Sequence, residues 1–225
     1  MLDFLNSASA EYVLEDAIKA RFAGHIALVS SFGTESAIVL HMISGIDNSL
    51  PVVFLDTLKL FPETLVYRDE LVARLGLTNI RTIRPDANQL AAYDPDGNLW
   101  QRDVDTCCAI RKTNPLDAAL EGMHAWITGR KRSQGGLRAD LQLLETGPDG
   151  RITVNPLAFW SDDQIDAYFK THKLPRHPLQ EKGYASIGCA TCTRRIRDGE
   201  DKRSGRWAGL DKSECGIHLP RATAA

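Results

Sequence analysis

"HIALVSSFGTESAIVLHMI", residues 25–43, decides how the chain folds. The run "HIALVS" (25–30) is short and apolar, with the character of a buried strand. "SFGTES" interrupts it, and "SAIVLHMI" continues as a helix. A strand that turns through Ser and Gly into a helix is the first half of a βαβ unit. The pattern recurs along the chain. "PVVFLD" (51–56) precedes the helical "PETLVYRDELVARL", "NIRTIR" (79–84) reads as a third strand and "AWIT" (125–128) as a fourth, while residues 9–22 form an amphipathic helix. Alternating strands and helices predict a parallel sheet. The strands are too uniformly apolar for a sheet with one wet side, so helices should cover both faces.

From about residue 185 the composition changes. "GCATCTRRIRDGEDKRSGRWAGLDKSECGIH" is rich in charge, Gly and Cys and has no apolar period. The expected organisation is therefore an α/β nucleotide-binding unit over 1–184 and an irregular functional tail over 185–225. With 225 residues, 43% hydrophobic and 25% charged, the chain can bury a real core. Its net charge of −2 gives no global field for nucleic acid. No apolar run reaches the roughly 20 residues of a membrane span, and "MLDFLNSASAEYVLEDA" lacks the regions of a signal peptide. A cytoplasmic protein with no membrane or nucleic-acid partner is the expectation. In that reducing setting cysteines serve as ligands or nucleophiles more than as bridges.

Of the five cysteines, Cys107 and Cys108 are adjacent, Cys189 and Cys192 form a CxxC, and Cys215 stands alone. Two metal readings stand for the first four. Zinc, with bonds of about 2.3 Å at tetrahedral angles, needs its sulfurs close together. Neighbouring residues on a helix point about 100° apart, which suits the wider spread of an iron–sulfur cubane. Arg111 and Lys112 follow the pair within a helical turn and would stabilise an anionic cluster. "SSFGTES" offers hydroxyls and helix-start amides to an anion, without the GK[ST] of a Walker loop. "LDTLKLFPET" (55–64) brings Asp56 and Thr57 to the carboxyl end of the second strand, where ligands bind in such sheets. "GRKRSQGGLR" (129–138) places four cations after the fourth strand, and "DKRSGRW" adds Arg203 and Arg206.

Together "SFGTES", "LDTLKLFPET", "CCAIRKTNPL", "GRKRSQGGLR", "GCATC" and "ECGIH" resemble the assimilatory adenylyl-sulfate (APS) and phosphoadenylyl-sulfate (PAPS) reductases, over residues 25–218. The resemblance implies a doubly wound, adenine nucleotide α-hydrolase-like (PP-loop) fold. It implies reduction of APS to sulfite and AMP, with thioredoxin or a similar thiol as donor. Cys215 would be the nucleophile and would carry an S-sulfocysteine. A [4Fe–4S] cluster would be held by Cys107, Cys108, Cys189 and Cys192, with Lys112 linking cluster and substrate. Phosphate and sulfate contacts would fall on Arg138, Arg203, Arg206 and His218, and nucleotide contacts on Ser30, Gly33, Leu55 and Thr57.

Three departures bear on loop shape and on the choice between APS and PAPS. Leu58 stands where the family's LDTG has Gly, Ser36 where an acidic residue is frequent, and GRKRSQGGLR replaces a GLRRxQS form. Sulfonyl transfer to a thiol needs a thiolate, helped by a lowered pKa or a nearby cation; Lys212 and His218 lie near Cys215 in the sequence, while Glu214 pushes the other way. Gly216 suits a tail that opens to meet its donor. Outside this class, a tRNA-thiolating ATPase would need an SGGxDS loop and a basic surface, and a non-catalytic metal module would not depend on Cys215. The sequence is compatible with a homo-oligomer.

Overall fold

Successive residues of each apolar run enter opposite hydrophobic layers, and both layers are buried. Ile26, Leu28, Val52, Phe54, Ala125 and Ile127 face one layer, whereas Ala27, Val53 and Trp126 face the other. This period-two division of uniformly apolar strands is what a sheet covered on both faces requires. It appears in a computed structural model that describes residues 8–210 and 212–218. The start of the N-terminal stretch read for a leader, and the ends of the two expected units, lie outside those residues.

The strands are β1 (Ile26–Val29), β2 (Val52–Leu55), β3 (Ile80–Ile83), β4 (Ala125–Ile127), β5 (Leu144–Thr146) and β6 (Ile152–Val154). Their order is β3-β2-β1-β4-β6-β5. All neighbours are parallel except β5 and β6, which pair antiparallel at one edge. The first four strands fall where the sequence predicts them, and the parallel sheet follows. The antiparallel edge hairpin is an addition to that expectation. The strand order reverses between β1 and β4, since β2 and β3 lie on one side of β1 and β4 on the other, and this switch point opens a crevice beyond their carboxyl ends.

Helices fill both layers. The N-terminal helix α1 (Ala10–Glu15) runs on through a π-helical turn to Arg21, and α2 (Ser36–Ile46) follows β1. Helix α3 (Pro62–Leu75) begins with Pro at its first turn and ends on Gly76 at φ 62, a residue type free to take the left-handed cap. These pack on one face with α8 (Asp162–Thr171), which starts with a Ser161–Gln164 capping box. On the other face lies α7 (Asn114–Ala119), with Leu116 buried against β1, β2 and β4. Short helices α4 (Ala87–Tyr93), α5 (Leu99–Arg102) and α6 (Val104–Cys108) lead to the cysteine pair. After residue 185 the described chain holds only 3-10 turns and isolated bridges. Among the described residues no helix is long and apolar enough to cross a membrane.

Candidate active site

The loop after β1 is held in shape by its own hydroxyls. Ser30 Oγ accepts the N–H of Phe32 at 3.2 Å, and Ser36 Oγ accepts that of Gly33 at 2.9 Å. Phe32 takes a left-handed φ of 48°, a costly conformation for a bulky residue. Its ring is fully buried and edge-on to Phe54 at 5.3 Å, which fixes the turn. A Cβ on Gly33 would lie 3.2 Å from Ser31 Oγ and 3.6 Å from the Ile187 carbonyl, so the loop abuts the C-terminal segment closely. After β2, the Thr57 hydroxyl lies 3.2 Å from Cys189 Sγ, and the Thr57 carbonyl accepts Arg111 Nη1 at 2.8 Å. Leu58, in the family's glycine position, is left-handed at φ 59 and exposed, so the turn keeps its shape despite the side chain.

Asp103 caps α6 by accepting the N–H groups of Asp105 and Thr106, and this sets Cys107 and Cys108 on the first turn. Cys189 caps and Cys192 ends the 3-10 turn Ala190–Cys192, which is docked on the β2 loop by a bridge between Leu60 and Cys189. All five cysteines are free. Burial raises the pKa of Cys107 and of Cys108, and the nearby thiols add to it, Cys189 and Cys192 at Cys107 and Cys215 and Cys189 at Cys108. Burial drives Cys108 up to about 12. Among the described residues no three His, Cys, Asp or Glu side chains converge on one point as a single metal ion would need.

Arg111 and Lys112 behave differently although they are adjacent. Arg111 is buried in an ion pair with Asp94. Lys112 faces Cys189, Cys215 and Cys108. Burial opposes its charge, yet those thiols outweigh burial and raise its pKa above the usual lysine value.

The tail closes the crevice. Cys215, 8% exposed, lines the same cavity as Lys112, Arg203, Arg206 and His218. Arg206 lies over the Trp207 ring at 4.3 Å, and its buried Nε has no hydrogen-bond partner, as is true of His218 Nδ1. Burial, then the neighbouring Arg138, brings Arg203 down to about 10. The His218 ring stacks on Trp126 at 5.5 Å, and its pKa is pushed well below 6.5 by burial and by Arg130 and Arg138. A Cβ on Gly216 would meet Thr113 Oγ1 at 3.2 Å, so this glycine serves a close approach.

Ser30, Gly33, Leu55, Thr57 and Arg138 also line this cavity, which thus brings together every residue predicted to bind substrate or react. Three details differ from expectation. Lys212 reaches Asp105 on α6, where it pins the tail. Glu214 is matched by Arg138 and Arg203, and Arg138 is thereby engaged by protein. Arg130, Gln134, Gly188 and Trp207 also line the cavity without having been singled out. Gly188 is the clearest omission, since a Cβ there would lie 2.2 Å from Arg206 Nη2.

Residues 25–195 match the model of the phosphoadenosine phosphosulfate reductase domain. The chain is 52% identical to a protein of Mesorhizobium japonicum named adenosine 5'-phosphosulfate reductase, covering 92% of this chain and 81% of that one. It is 50% identical to a protein of the same name from Chelativorans sp., covering 94% and 86%. Its fold is similar to a crystal structure of phosphoadenylyl-sulfate reductase from Candida auris in a phosphate complex, with TM-score 0.72 and 28% identity over 84% of this chain and 94% of the other. The family model spans most of the sheet domain and runs past the CxxC turn, and the relatives match over nine-tenths of the chain, so this chain belongs to the phosphoadenosine phosphosulfate reductase family.

Proposed function

We propose that this protein reduces adenylyl sulfate to sulfite and AMP, with Cys215 as nucleophile and thioredoxin or a similar dithiol as electron donor. One observation carries the reading: the buried Cys215 shares a cavity with Lys112 and Arg206, two half-buried cations that face thiols. A phosphosulfate would supply the missing anion. The thiolate of Cys215 attacks the sulfate sulfur, the bond from sulfur to the bridging oxygen breaks, and AMP departs with that electron pair. Lys112, Arg203 and Arg206 hold the charge that moves onto the phosphate and sulfate oxygens. His218, kept neutral, can donate or accept one hydrogen bond at Nδ1. The Ser30–Ser36 loop and Thr57 orient the nucleotide against β1 and β2.

The second half-reaction needs a reductant. One thiolate of thioredoxin attacks Sγ of the S-sulfocysteine, sulfite leaves, and the second thiol resolves the mixed disulfide and restores Cys215. Two electrons pass from dithiol to sulfur. Division into a nucleotide-binding unit (1–184) and a catalytic tail (185–225) suits this alternation, and a cytoplasmic setting suits the thiols.

The same reading includes a [4Fe–4S] cluster held by Cys107, Cys108, Cys189 and Cys192. The donor set fits: four thiols on two rigid turns, three of them buried, with Lys112 beside them and Thr57 within 3.2 Å of Cys189. Thiols too spread for one ion suit a group whose cysteines each meet a different iron. Bound there, the cluster would supply a fixed anionic charge that holds Lys112 protonated at the cavity wall.

The test is sulfite release from APS and from PAPS, each with and without reduced thioredoxin. Sulfite from APS only in the presence of thioredoxin is expected, with loss to background in Cys215→Ser, whose hydroxyl is far less ionised than a thiol. Turnover of PAPS alone would move the reading to that substrate, which fits the name of the Candida auris neighbour. No sulfite from either would reject it.

A further inference from the structure

Arg138 and Glu214 form the most fully engaged ion pair of the cavity. Arg138 sits in the 3-10 turn Gly136–Arg138 and is 9% exposed. Its Nε and Nη2 donate to the two carboxylate oxygens of Glu214, with Nη2 to Oε1 at 2.8 Å, while Nη1 donates to Gln134 Oε1. All three nitrogens of the guanidinium are thus engaged by protein. Glu214, 5% exposed, also accepts the backbone N–H of Cys215 on Oε1 at 2.8 Å and a longer contact from Arg203 Nη2 at 3.4 Å. Burial alone would raise the Glu214 pKa, but Arg138 overrides it and holds the group at about 2, so the pair is ionised under working conditions. By contrast, the Arg206 Nε and His218 Nδ1 are buried without partners.

We propose that Arg138 acts on the reaction through Glu214, as a two-pronged clasp that seats the Cys215 backbone over the cavity. The proposal rests on the reading of Cys215 as nucleophile. A forked arginine–carboxylate pair fixes orientation as well as distance, and the fork here grips the residue whose carboxylate also binds the nucleophile's own amide. From the other side, the His218 N–H donates to the Cys215 carbonyl at 3.0 Å. Cys215 is therefore pinned at both of its peptide groups. Presentation of its thiol to a donor protein requires the clasp to open, so Arg138 and Glu214 are positioning residues whose effects should be coupled.

The experiment is a double-mutant cycle of Arg138→Gln and Glu214→Gln in the complete, cofactor-bearing protein. Three quantities are read: the single-turnover rate of SO₃ adduct formation on Cys215, the dissociation constant for APS in a Cys215→Ser background, and the rate of iodoacetamide labelling of Cys215 without substrate. Each single variant should slow adduct formation tenfold or more and speed labelling several-fold. Once Glu214→Gln is present, adding Arg138→Gln should change none of the three by more than about twofold. Arg138→Lys, which keeps the charge and loses the fork, should behave like Arg138→Gln. Multiplicative effects on APS affinity, unchanged labelling, or full rescue by Arg138→Lys would each overturn the clasp. Absence of any adduct in the wild-type protein would instead overturn the nucleophile reading, and the labelling arm would still decide the clasp.

Discussion

Adjacent cations at positions 111 and 112 have been given different work by their surroundings. Arg111 meets a carboxylate buried with it, and its Nη1 ties the β2 loop through the Thr57 carbonyl. Lys112 meets thiols, and its charge is directed into the cavity. Lys112→Ala should therefore keep the fold and slow adduct formation on Cys215 by about a hundredfold, on the order of 3 kcal/mol for one positioned cation. Single-turnover rates on protein of equal iron content measure this, and an unchanged rate would return Lys112 to a packing role. Arg111→Ala should do the reverse and leave Asp94 buried without its partner. A loss of about 3 kcal/mol in urea unfolding is expected, whereas a variant as stable as wild type would mean that Asp94 finds another partner.

The elements that the sequence reveals are those whose pattern is local. Four apolar runs and the helix over 62–75, with Pro at its start, need no knowledge of the rest of the chain. The edge hairpin was not legible, because β5 and β6 have three residues each and β5 is only partly buried, with Glu145 reaching Arg130. The capping box "SDDQ" could have revealed α8, since its residues stand at the required spacing. At the site the residues that line the cavity were legible as motifs, but the pairing of charges was not. That Glu214 meets Arg138 while Lys212 meets Asp105 depends on how the tail folds back, which no spacing encodes. Gly188 shows the same limit: within "GCATC" it reads as a turn, yet it makes room for Arg206. Gly188→Ala should displace that flexible guanidinium at little cost in stability. APS affinity, measured in a Cys215→Ser background, should fall about tenfold, the worth of one charge-assisted contact. A Tm loss of many degrees with unchanged affinity would show that Gly188 serves the backbone alone.

At the scale of the whole molecule, the stretch that leads into the C-terminal tail is moored to helix α3 through a buried histidine. His177 has no exposed surface; its Nδ1 accepts the Leu179 N–H at 3.2 Å, so its Nε2 carries the proton and donates to Thr64 Oγ1 at 3.1 Å. Tyr67, on the same helix α3, faces its ring and donates to the Pro175 carbonyl at 2.8 Å. Burial lowers the His177 pKa to about 4. Between that value and the ordinary 6.5, the unfolded chain binds a proton that the folded chain refuses, so stability must fall as pH drops through this window. The full effect is about 3 kcal/mol, complete near pH 4. The carboxylates held at about 2, Asp162 and Glu214, act lower: their contribution is present above about pH 4.5 and is lost only as pH falls towards 2. Urea unfolding of wild type and His177→Gln at steps from pH 7 to pH 4 separates the two windows. The wild type should lose stability steadily across the range, while His177→Gln starts lower and declines less, so that the curves converge towards pH 4. Parallel curves would show that His177 is charged in the folded protein, and that Thr64, at the cavity wall, is held by something other than a neutral imidazole.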